Sequence, residues 1–298
     1  MSDTTGKSVG KIRISMDFEC GWGSVEDGNW RSREAAGVYD TLRPAMRRYL
    51  DALDRFQVPC TWACVGAMID DPKARDLSYL KGSYDRKTRE FLAEAKPNTI
   101  DGRDLLAMIQ ATTCAQSFGT HSYSHMNFQD PEQDDAVARA EMENAARANG
   151  LRGIAHDRLV FPRNLFGHFD AVMAAGTTVA RMPAHNATSG GGLLARAWAS
   201  YARPPSPVLE QVDASSGLTL HYGSEFLNWG ARAGGGKQAL TKRRHTRALE
   251  AAARGADIHF WLHPCDLAET PGLDKHVETV LARIAILRDK GLVETVPF

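Results

Sequence analysis

Several side chains that bind metals or transfer protons stand where short strand-like runs of the sequence end. The run 11–18 alternates apolar and polar side chains, and its polar face ends in Asp17 and Glu19. His121 ends a second short run, and His263 stands at the end of a third, before a proline. Carboxylates and imidazoles are the groups that hold divalent metals and move protons at neutral pH. In a parallel sheet or barrel these ends share one edge, where active sites are built.

The second run continues as His-Ser-Tyr-Ser-His, so His125 follows His121 by four residues. If the chain becomes helical there, both imidazoles fall on one face, a spacing that suits two ligands of one metal. Two imidazoles with one carboxylate make an open site that leaves room for water and substrate. A pair spaced in this way is also common by chance, and His263 taken alone is more typical of a structural histidine.

The composition is that of an ordinary globular protein and excludes several classes of function. The 298 residues are 43% hydrophobic and 24% charged, with 36 basic and 36 acidic side chains. A zero net charge is unlike that of nucleic-acid binders, and the basic run 242–245 is typical of a solvated helix face. No apolar run approaches the roughly 18 residues of a membrane span. The polar stretch 1–11 and the odd number of cysteines, five, predict a cytoplasmic protein with buried, reduced thiols.

Strand-like runs alternate with longer helical patterns along the whole chain, which favours an α/β architecture with a parallel sheet or barrel and helices outside. We predict one domain over residues 1–298. The polar, poorly periodic stretch 71–100 is predicted to be an excursion from the core fold. The predicted strands are 11–18, 58–65, 115–121, 158–162, 177–181, 218–222 and 257–263, and the predicted helices are 35–56, 102–113, 131–149, 170–175, 237–254 and 275–290.

Taken together and in this order, four segments resemble the polysaccharide deacetylase family, the NodB-homology domain of carbohydrate esterase family 4. The resemblance covers roughly residues 11–266. Asp17-Phe18-Glu19 is similar to the first motif in an Asp-x-Glu variant, and residues 121–125 match the His-Ser/Thr-x-x-His motif. Residues 161–164, Phe-Pro-Arg-Asn, resemble the third motif with its Arg and Pro rearranged, and Leu262-His263 matches the last.

This resemblance implies a distorted (β/α) barrel, with about seven parallel strands and outer helices, and a divalent metal, which in this family is most often zinc. Glu19, His121 and His125 would be the ligands. Asp17 would be the general base, His263 the general acid, and Arg163 would hold or tune Asp17. Because the two acidic residues are not adjacent, the base and ligand roles of Asp17 and Glu19 could be exchanged.

The implied reaction removes an N-acetyl or N-formyl group from an amino sugar during glycan biosynthesis. Attack of water on the amide forms a tetrahedral intermediate with a negatively charged oxygen. A backbone N–H near Trp22 or Gly23 could donate a hydrogen bond to that oxygen. The substrate would be a free, nucleotide-linked or lipid-linked sugar, and Arg232 or Arg243 could meet a diphosphate carrier. Sugars bind against flat rings with hydrogen bonds at the rim, whereas Trp261 is expected to pack in the interior. The candidate substrate-binding residues are Trp22, Tyr123, Asn164 and Trp229.

Three other functional hypotheses share parts of this pattern. The same barrel could cut another C–N bond, as in an allantoinase-like hydrolase. A catalytically inactive carbohydrate-binding relative would not need a complete acid/base set. A structural zinc protein should offer four closed ligands instead of three.

Overall fold

A curled, mostly parallel sheet surrounded by helices forms the centre of the computed structural model, which describes residues 8–183, 205–231 and 233–298. Within these ranges the sheet has ten strands. Their bounds are β1 Gly10–Phe18, β2 Thr61–Cys64, β3 Ser117–Thr120, β4 Arg158–Val160, β5 Val179–Arg181, β6 Leu209–Val212, β7 Thr219–Tyr222, β8 Glu225–Phe226, β9 Asp257–Leu262 and β10 Val293–Thr295.

The strand order is β6-β7-β5-β4-β3-β2-β1-β9-β8, and β10 pairs with the first residues of β1. Every pair is parallel except β6 with β7. The architecture is therefore a distorted (β/α) barrel, as the family resemblance implies. All seven predicted strands are present and take part in parallel pairs. The three additional strands, β6, β8 and β10, lie at the ends of the sheet or off its main path.

Helices cover the outside of the sheet. Within the described ranges they are α1 Trp30–Ala35, α2 Val38–Phe56, α3 Gly66–Ile69, α4 Gly82–Glu94, α5 Pro97–Ile100, α6 Arg103–Gln110, α7 Asp135–Leu151, α8 Phe169–Ala174, α9 Gly235–Ala252, α10 Pro264–Glu269 and α11 Leu273–Asp289. None of them is long and apolar enough to cross a membrane.

Strand β1 is central and both of its faces are buried, so its polar face is not a wet edge. Its polar side chains line the interior of the curled sheet, where they contact polar residues of the neighbouring strand β9. The Arg13 guanidinium donates to the carboxylate of Asp257, and the Ser15 hydroxyl lies 2.8 Å from His259 Nε2. A row of polar side chains inside the sheet thus leads up to Asp17 and Glu19.

The stretch 71–100 is more than the excursion that its polar composition suggested. It contains α4 and α5, and α4 buries Tyr84, Thr88 and Phe91, which are spaced four and three residues apart on one helical face. The Tyr84 hydroxyl donates to the backbone carbonyl of Ser124 at 2.6 Å. The helix therefore packs directly behind the loop that carries the second histidine of the predicted site.

All five cysteines are buried and free, as the sequence predicted. Burial raises the pKa of Cys20 to about 12, which keeps that thiol protonated at neutral pH. Organisation as one domain stays a prediction.

Candidate active site

The carboxyl ends of β1, β3 and β9 bring the five predicted chemical residues together. Asp17 lies within β1 and Glu19 follows it, His121 follows β3, and His263 follows β9. β1 pairs with β9 directly and is separated from β3 only by β2, so these ends share one edge of the sheet. His125 reaches the same point from the loop after β3. The cluster lies at the edge that parallel α/β folds use for catalysis.

Glu19, His121 and His125 form a compact set of possible metal ligands. Glu19 Oε2 lies 3.2 Å from His121 Nε2 and 3.0 Å from His125 Nε2. One ligand atom from each residue lies within 4.8 Å of the other two, and all three side chains are buried. Among the described residues this is the only such group of three or more.

The chemistry of this donor set fits a cation held between its members. His121 Nδ1 lies 2.7 Å from the carbonyl oxygen of Val160, which can only accept, so the proton of a neutral ring is on Nδ1. The lone pair of His121 Nε2 then faces the Glu19 carboxylate. Burial, the largest influence, lowers the pKa of His125 despite the nearby Glu19, which favours its neutral form. Two imidazoles and one carboxylate, with a backbone carbonyl orienting one ring, fit a divalent metal.

The segment between the two histidines is a loop and not the helical turn considered from the spacing. We call residues 121–126 the histidine loop. Ser122 and His125 adopt positive φ angles of 61° and 67°, which a continuing α-helix does not contain. The two rings meet edge to face, with centroids 4.7 Å apart. Loop geometry, and not helical periodicity, directs both histidines to Glu19.

Arg181, at the end of β5, holds Asp17. Its guanidinium donates to Asp17 Oδ1 at 2.7 Å and to Oδ2 at 2.6 Å, and both side chains are buried. Burial alone would raise the pKa of Asp17, but the charge and hydrogen bonds of Arg181, together with the nearby His121 and His263, outweigh it and lower the pKa. Asp17 is therefore an oriented, ionised carboxylate.

The prediction that Arg163 holds Asp17 is wrong in this structure. Arg163 lies in the turn after β4, where its guanidinium is 3.3 Å from Glu26 and 3.6 Å from Asp27. The motif-like sequence follows β4, whereas the arginine that binds Asp17 is at the end of the next strand, β5. Arg181 was the last residue of a predicted strand, so the rule that identified Asp17 and His263 could also have identified it.

His263 completes the site on the side of Glu19 opposite the histidine loop. Its Nε2 lies 3.9 Å from Asp17 Oδ2 and 3.8 Å from Glu19 Oε1, and its Nδ1 is 3.0 Å from Asp266 Oδ2. Burial disfavours its charged form, but the carboxylates of Glu19, Asp266 and Asp17 outweigh that effect and raise its pKa to about 10. The ring is thus protonated at neutral pH, and Nε2 faces the centre of the site.

Unusual backbone conformations concentrate around these side chains. Of the seven described non-glycine residues with positive φ, five lie within five residues after the end of β1, β3 or β4. Such conformations are costly and persist where the surrounding structure enforces them, often at functional sites. The five are Cys20, Ser122, His125, Arg163 and Asn164.

A cavity of about 540 Å³ opens beside Glu19 and His263. Most of its lining residues have polar side chains, such as Asn29 and Ser32, and most come from the segments after β1 and β9. Arg33 reinforces one wall, where it donates to Ser24 and Glu269. A polar cavity next to the cluster can accept a ligand rich in hydroxyl groups.

The structure corrects two of the four predicted substrate-binding residues. Trp22 and Tyr123 are fully buried, with the indole N–H donating to the Ile100 carbonyl and the phenol to Asp70, so neither ring offers a face to a ligand. Both side chains pack inward because α3 and α4 cover them. Asn164 is half-buried in the turn after β4, and Trp229 lies beside a different cavity.

Trp261, expected in the interior, is half-buried beside the site. Its ring stacks on Phe226 at 4.3 Å and meets His263 edge to face at 5.3 Å. The Arg181 guanidinium lies 4.5 Å from the same ring. Trp261 therefore packs against His263 and Arg181 of the site and is not confined to the interior.

Replacing Gly23 with alanine should disable the site without unfolding the protein. A Cβ at this position would overlap the Glu19 carboxylate, so the carboxylate must move away from the two histidines. We expect metal affinity to fall by about tenfold or more. Gly150→Ala is the matched control, because nothing lies within 4 Å of its Cβ. Competition with a chromophoric chelator measures both variants, and equal affinities would contradict the expectation.

Comparisons with known proteins bear on the fold. No family profile and no curated protein matches the sequence. Among solved structures, a Mycobacterium smegmatis protein assigned as a polysaccharide deacetylase superposes with a TM-score of 0.58 at 14% identity, over 97% of this chain and 88% of that one. The chain has a polysaccharide-deacetylase-like fold.

Proteins with other activities are similar to the same degree. A GH57-type branching enzyme of Pyrococcus horikoshii gives a TM-score of 0.57 at 10% identity, over 97% of this chain and 69% of that one. A 4-α-glucanotransferase of Thermococcus litoralis gives 0.51 at 10% identity, over 98% of this chain and 40% of that one. The deacetylase-like fold therefore does not specify a reaction by itself.

Proposed function

We propose that this protein is a metal-dependent hydrolase that removes an N-acetyl or N-formyl group from an amino sugar. The observation that carries the proposal is the cluster of Glu19, His121 and His125 with the ionised Asp17 and the protonated His263 beside it. An amide carbonyl is a poor electrophile and water a poor nucleophile. A bound divalent ion, which we propose to be zinc, supplies Lewis acidity that helps with both.

Asp17 is the proposed general base. Arg181 keeps its carboxylate ionised and fixed, so either oxygen has a lone pair available to accept a proton from the attacking water. Because Glu19 faces both histidines and Asp17 faces Arg181, the surroundings favour Glu19 as the ligand and Asp17 as the base.

His263 is the proposed general acid. Its Nδ1 is oriented by Asp266, which leaves the proton on Nε2 directed to the centre of the site. An amine leaves only when protonated, and Nε2 can donate that proton as the C–N bond breaks. Gly23 is the proposed donor to the oxyanion, because the Trp22 N–H is already used by the Glu19 carbonyl.

The polar cavity supports an amino sugar as the substrate, in a free, nucleotide-linked or lipid-linked form, and we propose a role in glycan biosynthesis in the cytoplasm. Of the two arginines considered for a diphosphate carrier, Arg232 lies outside the described residues. Arg243 is exposed on α9. Free buried thiols support a reducing compartment.

Two other functions are alternatives to this proposal. An allantoinase-like hydrolase would use the same metal and acid/base residues on a different C–N bond. Glycosyl transfer, as in the branching enzyme of similar fold, needs a carboxylic acid and a carboxylate poised across a glycosidic bond. Asp17 is engaged by Arg181 and Glu19 faces two histidines, which disfavours that chemistry.

The proposal is tested with amine release from a panel of N-acetyl and N-formyl amino sugars, with allantoin as the competing substrate. We expect hydrolysis of the N-acyl group of these sugars, loss of this activity with a chelator, and its recovery with Zn²⁺. Hydrolysis of allantoin alone would indicate the allantoinase-like function. Sugar binding without hydrolysis by the metal-loaded protein would indicate an inactive relative.

His263→Ala should affect amides and activated esters differently. An amine must be protonated to leave, whereas 4-nitrophenolate leaves unprotonated, so only amide hydrolysis needs the acid. We expect the amide rate to fall by about 10²-fold or more and the rate on 4-nitrophenyl acetate to change much less. Equal losses on both substrates would contradict the role of His263 as the acid.

A further inference from the structure

Glu141 on α7 is a fully buried carboxylate that the proposed reaction does not use. Its Oε1 accepts the backbone N–H of Ser124 at 2.7 Å, and its Oε2 accepts the Ser124 hydroxyl at 2.8 Å. The Tyr79 hydroxyl donates to the same Oε2 at 2.6 Å. Two of its three hydrogen bonds thus converge on one residue, next to His125.

The three donors to Glu141 are neutral groups. An ionised carboxylate in the protein interior is costly unless hydrogen bonds satisfy it. An apolar side chain would fill the same space on α7 without this cost. What a carboxylate adds is the ability to accept a backbone N–H and a hydroxyl from the same residue at once.

The histidine loop needs such partners because it is not helical. Its backbone groups make no regular ladder, and buried backbone groups must be satisfied individually. Gly66 and Ala67 donate to the carbonyls of Ser122 and Tyr123, at 2.9 and 2.8 Å, and the Tyr84 hydroxyl donates to that of Ser124. The Ser124 N–H is the group that Glu141 satisfies.

The position of this peptide decides where the next side chain points. His125 has a φ of 67°, in the left-handed region that non-glycine residues rarely adopt. Such a conformation is maintained only if the neighbouring peptide is held from outside. Glu141 holds it through both the backbone and the side chain of Ser124.

We propose that Glu141 is a positioning residue that holds the histidine loop so that His125 Nε2 meets Glu19, and thereby sets the affinity of the site for a divalent cation. This inference rests on the proposed function for its metal. It also makes a prediction for the metal-free protein, because the hydrogen bonds to Ser124 involve only protein groups.

The test is Glu141→Met, which keeps an unbranched side chain of similar length but removes both acceptor oxygens, so the buried Ser124 N–H loses its partner. We expect the Zn²⁺ dissociation constant, measured by chelator competition, to rise by about 10- to 100-fold. In the apo protein, amide hydrogen exchange of the peptide that covers residues 121–126 should become faster.

Asp257→Asn is the matched control for a general loss of stability. Asp257 binds the buried Arg13 at the opposite end of the sheet, so this variant should melt at a lower temperature with unchanged Zn²⁺ affinity. Tyr79→Phe removes one donor to Glu141 but keeps both bonds to Ser124. We expect its affinity to change by less than about threefold.

Ser124→Ala tests the same contact if Glu141→Met does not fold, because it removes the hydroxyl bond and keeps the backbone bond. It should weaken Zn²⁺ binding by a smaller factor. Wild-type affinity and wild-type exchange of residues 121–126 in a folded variant would overturn the positioning role. Failure of the wild type to bind any divalent ion would instead contradict the proposed function, while the exchange measurement would still decide the role of Glu141.

Discussion

Asp17→Asn should lower turnover by about 10²-fold or more while the protein retains its metal. Asparagine is nearly isosteric with aspartate and can still accept a hydrogen bond from Arg181, so the site should keep its shape. The amide cannot accept the proton of the attacking water, which removes the general base. Turnover on an N-acetylated amino sugar and elemental analysis of the same sample measure the two effects separately.

His121→Ala is the counterpart, and it should lose the metal together with the activity. His121 Nε2 faces Glu19, and its ring is oriented by the Val160 carbonyl, so no other nitrogen can replace it. Glu19→Gln should behave in the same way. Loss of metal in Asp17→Asn with retention in Glu19→Gln would show that the two carboxylates have exchanged roles. Equal metal content in His121→Ala and the wild type would contradict the ligand set.

Arg181→Met should reduce the free energy of unfolding of the metal-free protein by about 3–5 kcal/mol at pH 7. The variant leaves the buried Asp17 carboxylate without the guanidinium that binds both of its oxygens. It also removes the cation stacked on Trp261 and a donor to Ser15. Urea unfolding of chelator-treated protein measures the change.

Two further variants show whether the loss comes from the buried charge. Asp17→Asn combined with Arg181→Met removes the uncompensated charge and should recover part of the stability. Arg55→Met breaks an exposed ion pair with Glu278 and should change stability by less than about 1 kcal/mol. A loss in Arg181→Met no larger than that of Arg55→Met would mean that Arg181 does not compensate Asp17.

The sequence by itself determined the features that depend on short-range patterns. Seven strands could be predicted because apolar and polar residues alternate over a few positions, or because a proline ends the run. The same local patterns placed Asp17, Glu19, His121 and His263 at strand ends. Since parallel strands end at one edge, it followed that these side chains would lie close together, although their roles could be suggested only by resemblance to a family.

The tertiary structure alone decided which partner each side chain meets. Arg181 and Asp17 are 164 residues apart, and only the strand order brings β5 opposite β1, so the local motif pointed to Arg163 instead. The spacing of His121 and His125 is equally compatible with a helix, and the loop forms because contacts from α3, α4 and α7 satisfy its backbone. Whether Trp22 or Trp261 faces the site depends on which helices cover each ring. Such pairings are set by packing between distant segments, about which a local pattern carries no information.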